Sequence, residues 1–252
     1  MKHLKALKTK KGRDDAGQFI IEGIKFVNEI PRDWEVIEYV VAAQFASAQD
    51  LTAYQQRATC TVVRNSIFES MSSTVSPQGI LAVCKQKTWQ LENLICDTAP
   101  PFILLGENLN DPGNIGALIR TAAAAGAGGV ILTTGSGDVY NPKVQRAAAG
   151  AALRLPFVCE ISMQDAAQWL SSHGIPLYAA HPRGSVTPYN LDLAGPFCLL
   201  VGNESHGISD TAAALATNFV SLPMVNSTES LNASVAGSIL LYEALRQRLR
   251  GQ

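Results

Sequence analysis

From Phe19 onward, short apolar runs alternate with segments whose apolar residues recur at helical spacing. FIIEG, VIEYVVA, TVV and GILAVCK have the length and β-branched content of strands, while Phe45–Arg57 and Ser66–Met71 have helical periodicity. That mixture predicts a small α/β unit closing near Lys85. Between Gln86 and Pro101 the pattern lapses, and Pro100-Pro101 ends the gap with two residues that can neither continue a helix nor donate to a sheet. The chain is therefore expected to divide into a small α/β domain over 1–85, a linker over 86–101 and a larger domain over 102–252.

In the larger domain FILLGE, VILTT, PLYAA, FCLLVG and FVSLP are compact apolar runs, flanked by Gly, Pro or Asn and separated by helix-like segments. Continuous rather than alternating hydrophobicity means burial on both faces, so the fold class is α/β: a mostly parallel sheet with helices on both faces. Leu231, Val235, Ile239, Tyr242 and Leu245 lie at helical spacing ahead of Arg246, Arg248 and Arg250, which predicts a long amphipathic terminal helix with cations at its negative pole.

Composition narrows the class. The 252 residues are 47% hydrophobic and 16% charged, and no apolar run approaches the roughly 20 residues a membrane span needs, so a soluble protein with no membrane partner is expected. The N-terminus has no continuous apolar stretch or small-residue cleavage site, which predicts a cytoplasmic location. Cys60, Cys84, Cys96, Cys159 and Cys198 are widely spaced with no C-x-x-C pair, so neither disulfides nor a metal site are expected, and the thiols read mostly as small buried residues. A net charge of −1 argues against a protein that grips nucleic acid with its whole surface. The first 13 residues nevertheless hold Lys2, Lys5, Lys8, Lys10, Lys11 and Arg13 and no acid, enough for a local phosphate-binding patch as well as for a solvated helix. Lys8, Lys10, Lys11 and Arg13 are the candidate phosphate contacts of a nucleic-acid partner.

Three polar loops follow predicted strands, where ligands collect in parallel sheets. NLNDPGNIGALIRTAAAAG spans Asn108 to Gly126; Asp111-Pro112-Gly113-Asn114 has turn composition, Asn114 sits where an N-cap is expected, and Arg120 falls within the second turn of the following helix. A lone arginine in such apolar surroundings either snorkels to solvent or points at an anion. LLVGNESHGIS frames Glu204 between Gly202 and Gly207, as an ordinary strand-to-helix loop or as a tight turn that lets backbone approach a ligand; His206 has no evident partner that would make it a base. In LPMVNSTESLNASVAG, Ser230 or Asn232 stands near the start of the terminal helix, and Leu222, Met224 and Leu231 could pack in the core, cover an adenine or methionine moiety, or do both. GAGG at Gly126–Gly129 follows a helix and precedes a strand, the reverse of a dinucleotide-binding turn, which counts against a nucleotide-dependent oxidoreductase.

In order and spacing, Asn108/Asp111/Asn114/Gly116/Arg120, then Gly202/Glu204/Gly207, then Leu222/Pro223/Met224 with Ser230/Leu231/Asn232 resemble the three motifs of the SpoU family of RNA ribose methyltransferases, in the SPOUT superfamily. KKGRDDAGQFIIEG and PQGILAV resemble the first and last parts of that family's small substrate-binding domain. The resemblance implies a trefoil-knotted catalytic domain, a homodimer, and S-adenosylmethionine as cofactor, bound bent against the second and third loops. It implies Arg120 and Asn114 at the acceptor ribose and phosphate, Glu204 and Asn232 orienting them or the cofactor, and Gly202, Leu222 and Leu231, with Met224, lining the cofactor pocket. The substrate it implies is ribosomal RNA in preference to transfer RNA. Two positions depart from the family pattern, Asn226 where many relatives have glycine and Ala233 where valine is frequent. Asparagine tolerates a left-handed backbone, so neither predicts a dead enzyme. The rival reading is a non-catalytic RNA-binding homologue, against which the joint presence of Asn114, Arg120, Glu204 and Asn232 speaks.

Overall fold

The computed structural model describes residues 2–96 and 98–250. The chain forms two units, one made of residues up to Lys87 together with Asp138–Leu153, the other of Thr88–Gly137 and Arg154 onward. The expectation of an uninterrupted second domain over 102–252 is corrected at Asp138–Leu153, which packs as part of the first unit.

The first unit begins with α1 (Lys2–Ala6) and α2 (Lys10–Ala16), whose N-cap Thr9 accepts from the Gly12 amide at 3.1 Å. Gly12 is required here, because a Cβ would lie 2.1 Å from the Ala6 carbonyl oxygen. There follow β1 (Gln18–Glu22), α3 (Ile24–Asn28), β2 (Val36–Ala42), α4 (Ala43–Ala48), α5 (Thr52–Arg57), β3 (Thr59–Val63), α6 (Asn65–Met71) and β4 (Ile80–Lys85). The strands form one sheet in the order β1-β4-β2-β3, antiparallel except for the β2–β3 pair. The predicted helix over 45–57 is two short helices, because Asp50 breaks the run and its carboxylate accepts from the Thr52 amide at 2.9 Å.

What draws Asp138–Leu153 into this unit is a set of specific bonds. Arg13, 2% exposed, donates from Nε to Asp138 Oδ2 at 2.8 Å and from Nη1 to the Leu7 carbonyl at 2.9 Å, with Nη2 on the same carboxylate oxygen. Trp34 Nε1 donates to the Leu153 carbonyl at 2.9 Å, and the Phe19 ring lies 4.5 Å from that of Tyr140. Arg13 is therefore a buried structural cation, which corrects its expected role as an RNA contact. Glu22, at the end of β1, accepts from the Ser73 amide at 2.9 Å, the Ser73 hydroxyl at 2.7 Å, the Thr74 hydroxyl at 3.0 Å and the Ser72 hydroxyl. Burial raises its pKa, and these hydrogen bonds more than offset that, so the carboxyl ends below its ordinary value.

The second unit contains β5 (Phe102–Gly106), α7 (Pro112–Ala125), β6 (Gly129–Thr133), β7 (Phe157–Ile161), α9 (Met163–Ser172), β8 (Leu177–Ala180), β9 (Phe197–Val201), α10 (Asp210–Leu215), β10 (Asn218–Val220) and α11 (Ala233–Arg250), with α8 (Pro142–Ala148) belonging to the first unit. All its strands are parallel, in the order β10-β8-β9-β5-β6-β7. Residues of α9 and α10 share a buried cluster with Ile103, Leu105, Ile131, Cys198 and Leu200, while α7 and α11 pack on β5, β6 and β9, so helices cover both faces as expected. The five predicted runs are β5, β6, β8, β9 and β10. Strand β7 escaped notice because its Cys159 and Glu160 are exposed at the sheet edge, leaving no continuous apolar run.

Two expectations about side chains change. Cys84 and Cys198 are buried, with burial pushing the Cys84 thiol up to about 12, but Cys96 and Cys159 are exposed. On α11 the apolar residues that define the stripe, Val235, Ile239 and Tyr242, are 46%, 42% and 53% exposed, while Gly237, Leu240, Leu241 and Ala244 face the core. Among the described residues no helix is long and apolar enough to cross a membrane, and no group of His, Cys, Asp and Glu is placed to hold a metal ion.

Replacing Asp138 by asparagine leaves the Arg13 guanidinium buried without a counter-charge. A loss of about 3–5 kcal/mol is expected, seen as a lower urea midpoint for the first unit. An Arg13→Met/Asp138→Leu pair is expected to recover most of it, and an unchanged midpoint in Asp138→Asn would contradict the structural role.

Candidate functional site

The carboxyl ends of three adjacent strands, Ala180 of β8, Val201 of β9 and Val220 of β10, open onto a cavity of 210 Å³. Leu222, Met224 and Leu231 from the loop before α11 line it with Leu240 of α11, and Gly202, Asn203 and Glu204 close it from the loop after β9. The latter loop turns back on itself: Asn203 and Gly207 exchange backbone hydrogen bonds, each 2.9 Å. Gly207 has φ +71°, and a Cβ on Gly202 would sit 2.4 Å from the Gly207 carbonyl carbon, so only glycine permits the turn. Asn203 Nδ2 also donates to the Asn108 carbonyl at 2.8 Å, joining this loop to the one that precedes α7.

A hydrogen-bonded chain runs beside the cavity. Glu204 Oε1 accepts from Asn114 Nδ2 at 3.0 Å and from the Asp111 amide at 3.3 Å. Ser234 Oγ lies 2.9 Å from Asn114 Oδ1 and 2.7 Å from Asn232 Oδ1, so its single hydroxyl proton is shared between two amide oxygens. Asn232 Oδ1 further accepts from the Ser234 amide at 2.9 Å, which makes Asn232 the cap of α11. Asn114 and Ser234 are buried, so the pairing fixes their orientation in a dry setting.

The candidate residues divide accordingly. Gly202, Glu204, Leu222, Met224 and Leu231 line the cavity, and Asn114 and Asn232 join it through Glu204 and Ser234. Asn114 is not the N-cap: Asp111 is, accepting from the Asn114 amide at 2.8 Å, with Pro112 in the first helical position. That moves Arg120 into the third turn of α7, where it is exposed, makes no hydrogen bond or ion pair among the described residues and does not line the cavity. His206 sits against Asn203 Oδ1 at 3.1 Å as part of the turn. Lys8 Nζ donates to the Ser72 carbonyl at 2.8 Å, and Lys10 lies 3.9 Å from Asp14, while Lys11 is exposed. Sequence reasoning passed over Ser234, although it stands in the quoted motif, and Glu107, a buried acid at the end of β5 that accepts from the Ser209 amide at 2.9 Å and so fixes the start of α10.

The cavity suits S-adenosylmethionine. Its apolar wall can cover a purine or thioether, and within 222–231 the described residues make one backbone hydrogen bond, Thr228 to the Val225 carbonyl at 3.3 Å, leaving main-chain donors and acceptors to read polar edges. Asn226 has φ +55°, the left-handed conformation its amide side chain tolerates. The sheet is wholly parallel, the cavity lies at its carboxyl ends, and the three ordered motifs edge it.

Residues 101–242 match the SpoU rRNA Methylase family, and residues 1–82 match an MRM3-like substrate binding domain. The chain is 32% identical to the 23S rRNA guanosine 2′-O-methyltransferase RlmP of Bacillus subtilis, over 96% of this chain and 94% of that protein. It is 30% identical to a 23S rRNA uridine 2′-O-methyltransferase of Streptomyces viridochromogenes, over 95% of this chain and 86% of that protein. The crystal structure of the SpoU methyltransferase AviRb from Streptomyces viridochromogenes, in complex with the cofactor AdoMet, superposes with a TM-score of 0.88 at 28% identity, covering 100% of this chain and 98% of the other. The chain belongs to the SpoU rRNA methylase family, and its cofactor is S-adenosylmethionine.

Gly202→Ala is expected to push the 202–207 turn outward and weaken S-adenosylmethionine binding by at least about tenfold with little change in circular dichroism. Isothermal titration checks this; an affinity within about twofold of the parent would show that the turn does not shape the cofactor site.

Proposed function

We propose that this protein methylates the 2′-hydroxyl of a ribose in ribosomal RNA, acting in the cytoplasm. The observation that carries the reading is the Glu204–Asn114–Ser234–Asn232 chain, which ties all three motif loops together beside the cavity. The 23S rRNA named for the relatives from Bacillus subtilis and Streptomyces viridochromogenes supports ribosomal over transfer RNA.

S-adenosylmethionine supplies an electrophilic methyl group; the residues must supply position. Glu204 holds the Asn114 amide, and the Ser234 hydroxyl holds its carbonyl end, so the acceptor side of the site is rigid before RNA arrives. Arg120 is unpaired among the described residues and is available to grip the phosphate beside the target ribose. A guanidinium remains protonated at neutral pH, so the hydroxyl proton leaves to a phosphate oxygen or water. Lys10 and Lys11, on α2, add sequence-independent phosphate contacts.

Arg120→Ala is expected to abolish methyl transfer with cofactor affinity intact, and Arg120→Lys to be badly impaired because lysine lacks the bidentate fork. Lys10→Gln/Lys11→Gln is expected to weaken RNA binding at low salt and to spare the rate at saturating RNA. Single-turnover transfer of labelled methyl to ribosomal RNA measures all three; near-parent turnover in Arg120→Ala would remove that residue from the mechanism, and no transfer by the parent protein would favour the non-catalytic RNA-binding reading.

The chain is further proposed to form a homodimer through α11. Leu231, Val235, Ile239 and Tyr242 leave an apolar stripe in water that a second copy would cover. Light scattering at micromolar concentration is expected to give twice the 26.9 kDa chain mass, and Val235→Glu/Ile239→Glu to give the monomer; a monomeric parent protein would exclude the interface.

A further inference from the structure

The first unit holds a second cavity, of 270 Å³, which none of the chemistry above uses. Buried Phe45 and Phe68 form its floor, and the exposed side chains of Gln44, Asn65, Gln78 and Glu69 rise around it. The amides are oriented: Gln78 Oε1 accepts from the Ile24 amide at 2.8 Å, and Asn65 Oδ1 accepts from the Gln44 amide at 3.0 Å with its Nδ2 3.5 Å from Gln44 Oε1. The oxygen ends are thus committed, and the Nε2 donors of Gln44 and Gln78 have no partner among the described residues.

The walls exist before any ligand arrives. Gly79 has φ +86° and its Cβ would lie 2.8 Å from Phe45 Cβ, so the backbone there presses directly on the floor. The same loop is clamped at its start, where Ser72, Ser73 and Thr74 bond to Glu22. A preformed pocket with an aromatic floor and two free amide donors suits a flat heterocycle bearing acceptors on its edge. Glu69 in the lining disfavours an anion inside, whereas Lys25 and Arg64, adjacent in sequence to the wall residues Ile24 and Asn65, are exposed and unpaired among the described residues. Asp50, next to the lining residue Gln49, has its carboxylate engaged by Thr52. Cations outside and neutral donors inside match a nucleotide whose base enters and whose phosphates stay at the mouth.

We propose that this cavity receives one unpaired nucleobase of the RNA substrate, with Gln44 and Gln78 donating to its edge and Lys25 and Arg64 meeting the flanking phosphates. This rests on the RNA methyltransferase reading and adds to it a determinant of which RNA is held: one that displays an unstacked base at a fixed place.

The test uses the full chain and two labelled RNA probes, a hairpin with a six-nucleotide loop of mixed sequence and a blunt duplex of the same stem. Fluorescence anisotropy reports RNA affinity, and titration with S-adenosylmethionine on the same samples reports the other site. The parent protein is expected to prefer the hairpin. Gln44→Glu/Gln78→Glu keeps the oxygen acceptors and removes the donors; it is expected to lower hairpin affinity by about tenfold with cofactor affinity unchanged. Gln55→Glu/Gln56→Glu, the same charge change on exposed α5, is expected to have little effect. Ala48→Leu, which narrows the cavity from its exposed wall without touching the amides, is expected to reproduce the loss. Equal effects of the two Gln→Glu pairs, no effect of Ala48→Leu, or equal affinity of the parent for hairpin and duplex would overturn the proposal. Failure of the parent to bind S-adenosylmethionine would instead strike the methyltransferase reading.

Discussion

The approach of α11 to α7 is what the candidate site depends on. At Gly237 a Cβ would lie 2.6 Å from Leu118 Cδ2 and 3.1 Å from Val201 Cγ2, so the hydrogen at that position lets the terminal helix settle against both α7 and β9. One turn earlier the same packing brings Ser234 within 2.9 Å of Asn114. A larger residue at 237 would require the Leu118 and Val201 side chains to give way for Ser234 to keep its reach to Asn114. The site thus rests on helix packing in the core, where close-packed interiors transmit strain.

This dependence explains what the sequence disclosed and what it concealed. Five of the six parallel strands stand out as apolar runs, β5, β6 and β9 with every residue buried, whereas β7, with Cys159 and Glu160 exposed, does not. The motif residues were legible because polar groups in apolar surroundings are conspicuous. Their partnerships were not. Asn114 looks like an N-cap because Asp111–Asn114 has turn composition and helical spacing begins at Ile115, yet the cap is Asp111, with Pro112 in the first helical position. The terminal stripe Val235–Ile239–Tyr242 was read correctly as one face of a helix, yet periodicity alone does not say whether that face meets its own core or another surface; here the residues between them are the buried ones.

The first unit shows a different limit. Arg13 lies in a run of lysines and by composition belongs with them, but its guanidinium is satisfied by Asp138, 125 residues away in sequence. No local pattern distinguishes a cation that will be buried by a distant carboxylate from one that will meet solvent. The same bond gives the unit its discontinuous chain, because Asp138–Leu153 supplies the counter-charge, the acceptor for Trp34 and the ring beside Phe19. A buried pair of this kind contributes little net stability compared with apolar residues of the same volume, while breaking it costs much more. Its effect is to specify which segment completes the unit.

Among the described residues Lys2, Lys5, Lys11, Lys25, Arg32, Arg64, Arg120, Lys143 and Arg183 are exposed cations without a side-chain partner, scattered over helices and loops in a chain of net charge −1. Phosphate contacts position an RNA without reading its sequence, so these cations cannot by themselves select one ribose. Selection must come from shape and from unpaired bases, which A-form duplexes do not offer in their deep major groove. The second unit has the cofactor cavity with a hydrogen-bond chain beside it; in the first, the proposed base pocket with its unspent amide donors is where such selection would be made.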